Sequence, residues 1–115
     1  MVTNRTTALD QAYSYFKKDE FDKAIAIYKS KKDNQSQFML SRCFQKKGNY
    51  KESYKILKGL TEQRGYKEQH SLNVLLGLAK SCHKLGLEEE MQSYLKKIER
   101  IGASKNNNVT NDSLL

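Results

Sequence analysis

One hundred and fifteen residues are enough for a single small domain, and 37% hydrophobic against 30% charged residues excludes a wholly disordered chain. No apolar run approaches the ~18–20 residues that span a bilayer, no apolar signal region opens the chain, and the absence of proline, with only 6 glycines, points to an all-α fold addressed to the cytoplasm or nucleus. The formal net charge of +8 fits an acidic partner or a nucleic acid, but the lysines are spread over every segment, which favours a solvated helix surface over a phosphate-binding stripe.

The apolar periodicity predicts six helices. The first covers about 6–18, with Leu9, Ala12, Tyr13, Tyr15 and Phe16 apolar and Thr3, Asn4, Arg5 and Thr6 as capping side chains. Lys18-Asp19-Glu20 makes a turn in which Asp19 caps the second helix, about 20–30, whose apolar face is Phe21, Ala24, Ile25, Ile27 and Tyr28. Asn34 followed by Gln37 resembles a capping box and opens a third helix over 35–47, ended by Gly48. Asn49 with Glu52 opens the fourth, about 50–62, and Gln63-Arg64-Gly65-Tyr66 is the expected longer loop. The fifth covers 68–84 and closes at Leu85-Gly86. The sixth covers 87–101, with Glu88, Glu89 and Glu90 at its positive end, Lys96, Lys97 and Arg100 near its negative end, and Gly102 as its stop. From Ala103 the chain is polar and Asn-rich with no helical period, and is read as a disordered tail over 103–115; the two glycosylation-like triplets at Asn108 and Asn111 are attributed to chance there.

The helices pair as hairpins over about 6–30, 35–62 and 68–101, within a domain of 4–102. Aligned on their turns, the three share fixed offsets. A small residue recurs as Ala12, Ser41 and Ala79; three residues later stand Tyr15, Phe44 and Cys82; seven later, the turn residues Asp19, Gly48 and Gly86; twelve later, Ala24, Ser53 and Met91; sixteen later, Tyr28, Leu57 and Leu95. Small residues facing each other let two helices approach closely while bulky neighbours fill the grooves beside them. Met91, larger than its counterparts, is expected to splay the third hairpin.

This pattern resembles the tetratricopeptide repeat (TPR), carried here by Ala12–Tyr15–Ala24–Tyr28 and Ser41–Phe44–Ser53–Leu57, with Ala79–Cys82–Met91–Leu95 the least similar unit. The tryptophan and the unit-ending proline common in that family are missing, and the units begin 29 and 38 residues apart (12 to 41, 41 to 79). The resemblance implies three antiparallel helical hairpins stacked as a short TPR-like α-solenoid; the plain alternative is an ordinary bundle with no open concave face. A narrower likeness, in LSRCFQKKGNYKESYKIL and GLAKSCHKLG, is to the N-terminal hairpins of anaphase-promoting complex scaffold subunits, and hints at a multisubunit assembly.

In such an array the first helix of each hairpin lines the inner groove. The candidate partner-binding residues are Tyr13, Lys17, Phe38, Arg42, Gln45, Lys46, Lys80, His83 and Lys84, with Leu9, Phe16, Asn73 and Leu76 beside them. The groove is aromatic and basic and suits a peptide or helix of another protein with apolar anchors and acidic flanks. The function read from this is a non-enzymatic protein–protein interaction scaffold; the alternative is an RNA-binding helical repeat. The family's chaperone-carboxylate clamp is not expected, because its positions are here Leu9, Tyr13, Met39, Asn73 and Gly77. No catalytic residue, metal site or cofactor is expected. Cys82 and His83 are adjacent and so point about 100° apart on a helix, the three glutamates suit the helix dipole, and Cys43 and Cys82 read as buried reduced thiols.

Overall fold

The computed structural model of the chain describes the backbone of residues 7–68 and 71–114, with side chains through residue 103, and its regular elements are six α-helices with no strand among the described residues. They are α1 (Ala8–Lys17), α2 (Phe21–Lys29), α3 (Asn34–Lys46), α4 (Tyr50–Thr61), α5 (Leu72–Leu85) and α6 (Glu88–Leu114). The expected capping run Thr3, Asn4, Arg5 and Thr6 lies outside the described residues. Thr7 caps α1 through a capping box: its hydroxyl accepts from the Asp10 amide at 3.1 Å and its amide donates to the Asp10 carboxylate at 3.2 Å.

The three hairpin turns have one backbone geometry. Asp19, Gly48 and Gly86 all take the left-handed conformation, with φ of 63°, 82° and 77°. In each turn the following amide donates back to the carbonyl five residues earlier: Glu20 to Tyr15 at 2.9 Å, Asn49 to Phe44 at 2.8 Å and Leu87 to Cys82 at 2.8 Å. These are wraps of the Schellman type, which satisfy carbonyls left open at a helix end. Asp19 therefore does not cap the second helix as expected. It occupies the position glycine holds in the other two turns, which Asp tolerates better than most residues, and Glu20 precedes α2 with no side-chain cap. At α3 the cap is Asp33, whose carboxylate accepts from the Ser36 amide at 3.0 Å, and not Asn34; Gln37 instead donates to the Lys31 carbonyl at 2.7 Å. Asn49 does cap α4, accepting from the Glu52 amide at 3.4 Å. Helix five begins at Leu72 rather than 68: the connection after α4 runs through a left-handed Gly65, and just before the helix the Ser71 hydroxyl donates to the Glu68 carbonyl.

Each helix packs against the next in the chain, and α3 also meets α5. Ala12, Ala24, Ser41 and Ser53, the expected crossing residues, are at most 1% exposed. In the third hairpin Ala79 is buried and Met91 packs against the core, so the two helices remain in contact where a splay was expected. One apolar cluster joins Ala12, Ala24 and Tyr28 to Met39, Leu40 and Cys43. A second joins Leu57 and Leu60 to Leu75, Leu78, Cys82, Tyr94 and Ile101. Phe38 belongs to the edge of both.

Two places depart from the repeat. Tyr28 and Leu57 each pack against the following hairpin, whereas Leu95 is 37% exposed and Tyr94 supplies the buried aromatic instead. On α1, the positions equivalent to the buried Ser36, Met39, Leu40 and Cys43 are Thr7, Asp10, Gln11 and Ser14, all exposed and polar. The expected stop at Gly102 is not a stop: the backbone of α6 is helical through Leu114, while the last buried side chain among the described residues is Ile101. The side chains of the tail beyond Ala103 lie outside the described residues.

Candidate functional site

The odd-numbered helices carry a surface whose composition repeats. Counted from the buried crossing residues Ala12, Ser41 and Ala79, the position three before is Leu9, Phe38 and Leu76; one after, Tyr13, Arg42 and Lys80; four after, Phe16, Gln45 and His83; five after, Lys17, Lys46 and Lys84. Helical spacing puts these positions on one side of each helix. Leu9, Tyr13 and Leu76 are 40%, 50% and 47% exposed, and Arg42, Lys80, His83 and the three lysines of the last row are exposed as well. Acidic residues are segregated away from this surface: α3 and α5 contain none, and α1 only Asp10.

Aromatic and cationic groups connect the helices laterally. The Lys17 ammonium lies 5.5 Å from the centre of the Tyr13 ring, Tyr13 stacks on Phe16 at 6.3 Å, and the Arg42 guanidinium covers the Phe16 ring at 4.9 Å. That sequence runs from α1 onto α3. On α5, Lys84 lies 5.9 Å from the Tyr50 ring. Such contacts hold a cation in place without neutralising it. Between α3 and α5 a cleft of about 320 Å³ is lined by Phe38, Arg42, Asn73, Leu76 and Lys80, with Leu57 and Gly77 at its base. Of the nine residues predicted for the site, Phe38, Arg42, Gln45 and Lys80 meet at this cleft. Tyr13 and Lys17 join it through Phe16. Lys46, His83 and Lys84 lie toward the hairpin turns.

Gln45 has a structural task. Its amide donates to the Gly77 carbonyl at 3.0 Å and to the Ser81 hydroxyl at 3.1 Å, and Ser81 donates in turn to Ser53 at 3.4 Å. It bolts α3 to α5, and its donors are no longer open to a partner. Glycine at 77 permits the accompanying close approach of α4, as a Cβ there would stand 2.7 Å from Leu57 Cδ1. A second, wider cleft of about 830 Å³ adjoins the first, sharing Phe38 and Asn73 and extending past Gln35 to Tyr66 and Lys67. It was not anticipated from the sequence; the only local sign of it is the Gly65-Tyr66 loop, which forms its outer wall.

The remaining reactive side chains are committed elsewhere. Burial pushes the Cys43 and Cys82 thiols up to about 11, so both stay protonated near neutrality, and Cys82 is inaccessible while its neighbour His83 is exposed. Glu90 accepts a 2.6 Å hydrogen bond from the Tyr54 hydroxyl and has Lys58 at 3.9 Å, which ties α6 to α4. Glu68 faces Lys97 at 3.5 Å and Arg100 at 4.0 Å. Among the described residues no group of three or more His, Cys, Asp or Glu side chains could hold a metal ion, and no helix is long and apolar enough to cross a membrane. No protein-family model matches the chain, and no curated protein matches it.

Proposed function

We propose that the chain is a non-enzymatic protein–protein interaction module, a short TPR-like helical array that takes a peptide or helix of a partner on the surface of α1, α3 and α5, within a larger assembly. The observation that carries the reading is the repetition of the surface itself. Apolar Leu9, Phe38 and Leu76 and cationic Lys17, Lys46 and Lys84 each recur at one register position in three helices, exposed or half-buried, with a single carboxylate among the three elements. Core packing explains the crossing residues but demands neither the exposed leucines nor the matched lysines. Apolar anchors beside unneutralised cations suit a partner with apolar and acidic side chains.

The test is affinity capture on the immobilised chain, with and without nuclease, comparing wild type with the double variant Arg42→Glu/Lys80→Glu. Nuclease-resistant protein capture that is lost in the double variant, with its helical circular dichroism unchanged, is the expected result. Capture that is equal in the two proteins removes the surface from the reading. Retention of single-stranded RNA that declines steeply with salt, and no protein, replaces it with nucleic-acid binding.

A further inference from the structure

The two apolar clusters hold their hairpins unequally. The first hairpin meets the rest of the chain through α2, which packs on α3. Its buried side chains are two alanines, Ala12 and Ala24, and one tyrosine, Tyr28; against them lie Met39, Leu40 and Cys43 of α3. At the second joint the buried partners are larger, with Leu57 and Leu60 of α4 against Leu75, Leu78 and Cys82 of α5. Apolar stabilisation follows the area removed from water, so an alanine holds less than a leucine. The polar contacts differ in the same sense. Hydrogen bonds through Gln45, Ser81 and Ser53 link α3, α5 and α4, and Tyr54 with Glu90 links α4 to α6. Among the described residues, the polar side-chain contacts that join the first hairpin to the second are an exposed ion pair of Lys47 with Asp22 and the Arg42 guanidinium on Phe16. Exposed ion pairs hold little. Helix α3 also keeps its own start: Asp33 caps it and Gln37 donates to the Lys31 carbonyl, neither of which needs α1 or α2.

We propose that the first hairpin is a detachable lid: α1 and α2 leave α3 together, about the Lys31–Asp33 connection, while α3 to α6 stay folded. Helices of 10 and 9 residues are too short to persist alone in water, so the two lose their structure as one unit when they leave. Opening uncovers an uncharged stripe on α3, Met39, Leu40 and Cys43, and parts Phe16 from Arg42. The position of the lid therefore decides which face of α3 the chain presents: the basic surface joined to α1 when it is shut, and an apolar stripe as well when it is open.

The two cysteines report the two joints, since Cys43 lies under the lid, Cys82 lies in the second cluster, and both are fully buried. The full chain is treated with N-ethylmaleimide under native conditions and digested, and the labelling of each cysteine is followed by mass spectrometry. A buried thiol meets the reagent only in an opened form, so the ratio of the two rates is a ratio of open populations. Expected is labelling of Cys43 at least about tenfold faster than of Cys82, with the weaker urea dependence of an opening that exposes less surface. Asp22→Lys, which sets a like charge against Lys47, should speed Cys43 by about threefold and leave Cys82 unchanged. In hydrogen exchange the amides of α2 should open at the pace of Cys43, with those of α5 protected well beyond it. Equal rates and equal urea dependence at the two cysteines overturn the lid, because the domain then opens only as a whole. Faster labelling of Cys43 that ignores Asp22→Lys, with α2 amides as protected as those of α5, also overturns it, because α3 is then exposed by parting from α4.

Discussion

Gly77→Ala measures how closely α4 and α5 approach. The new Cβ would sit 2.7 Å from Leu57 Cδ1 and 3.6 Å from Gln45 Nε2, against an ordinary carbon contact of about 3.5–4.0 Å, so about 1 Å of movement is required. Leu57 is 1% exposed and cannot swing into solvent. Overpacking of this kind costs about 1–3 kcal/mol, while replacing glycine by alanine inside a helix returns about 1 kcal/mol. The net expectation is a loss of up to about 2 kcal/mol. Gly59, in α4, has nothing within 4 Å of the same added carbon, so Gly59→Ala should stabilise by the full propensity gain of about 1 kcal/mol. The same chemical change at two sites thus separates by about 1–3 kcal/mol, which is several degrees in melting temperature for a domain of this size. Urea denaturation followed by far-UV circular dichroism reads both. Equal stabilisation at the two positions would show that α4 and α5 do not meet through Gly77.

Tyr54→Phe removes the 2.6 Å hydrogen bond to Glu90 and should destabilise by about 1.5 kcal/mol, the lower end for a charged acceptor, as Lys58 remains nearby; Glu90→Gln should abolish most of the difference between Tyr and Phe in a double-mutant cycle. Stability should also fall in alkali. Burial raises the Cys43 and Cys82 thiols from 9.0 to about 11 and the Tyr94 phenol from 10.0 to about 12, so between those values the folded chain holds protons that the unfolded chain has released. The contribution is complete below about pH 9 and is lost as pH rises toward the folded values; a urea midpoint unchanged to about pH 11 would contradict it, and Cys43→Ala/Cys82→Ala should flatten the first part of the decline.

The hairpins were legible because their determinants are local. A small residue, a turn residue seven positions on and a second small residue after twelve need no knowledge of the rest of the chain, and the common wrap at Asp19, Gly48 and Gly86 is what those offsets encode. Contacts between hairpins were not legible. Gln45 reads as an exposed groove residue because its acceptors, Gly77 and Ser81, are 32 and 36 positions away. In the sequence Gly77 is only a position where the clamp's cation is missing, since its close contact belongs to Leu57 of another hairpin. Leu95 obeys the repeat in sequence and departs from it in burial, because periodicity alone does not say that its neighbour Tyr94 takes the buried place. Of the surface, the residue types at each position could be read, whereas the lateral stacking of Phe16 with Arg42 and of Tyr50 with Lys84 required the helices to be set side by side.

Phe38 lies at the margin of both apolar clusters and in the wall of both clefts. Whatever rests on this ring also rests on the joint between the two clusters, one built on the first hairpin and α3, the other on α4 and the third hairpin. Occupancy and rigidity are then linked quantities: a ligand that fixes Phe38 should slow amide exchange in helices it never touches, by the free energy with which it prefers one setting of that joint. The same linkage limits mutagenesis. A Phe38 variant that loses a partner has lost an anchor and loosened a hinge together, so the exposed positions on either side, Leu9 and Leu76, are where recognition can be varied with the fold left alone.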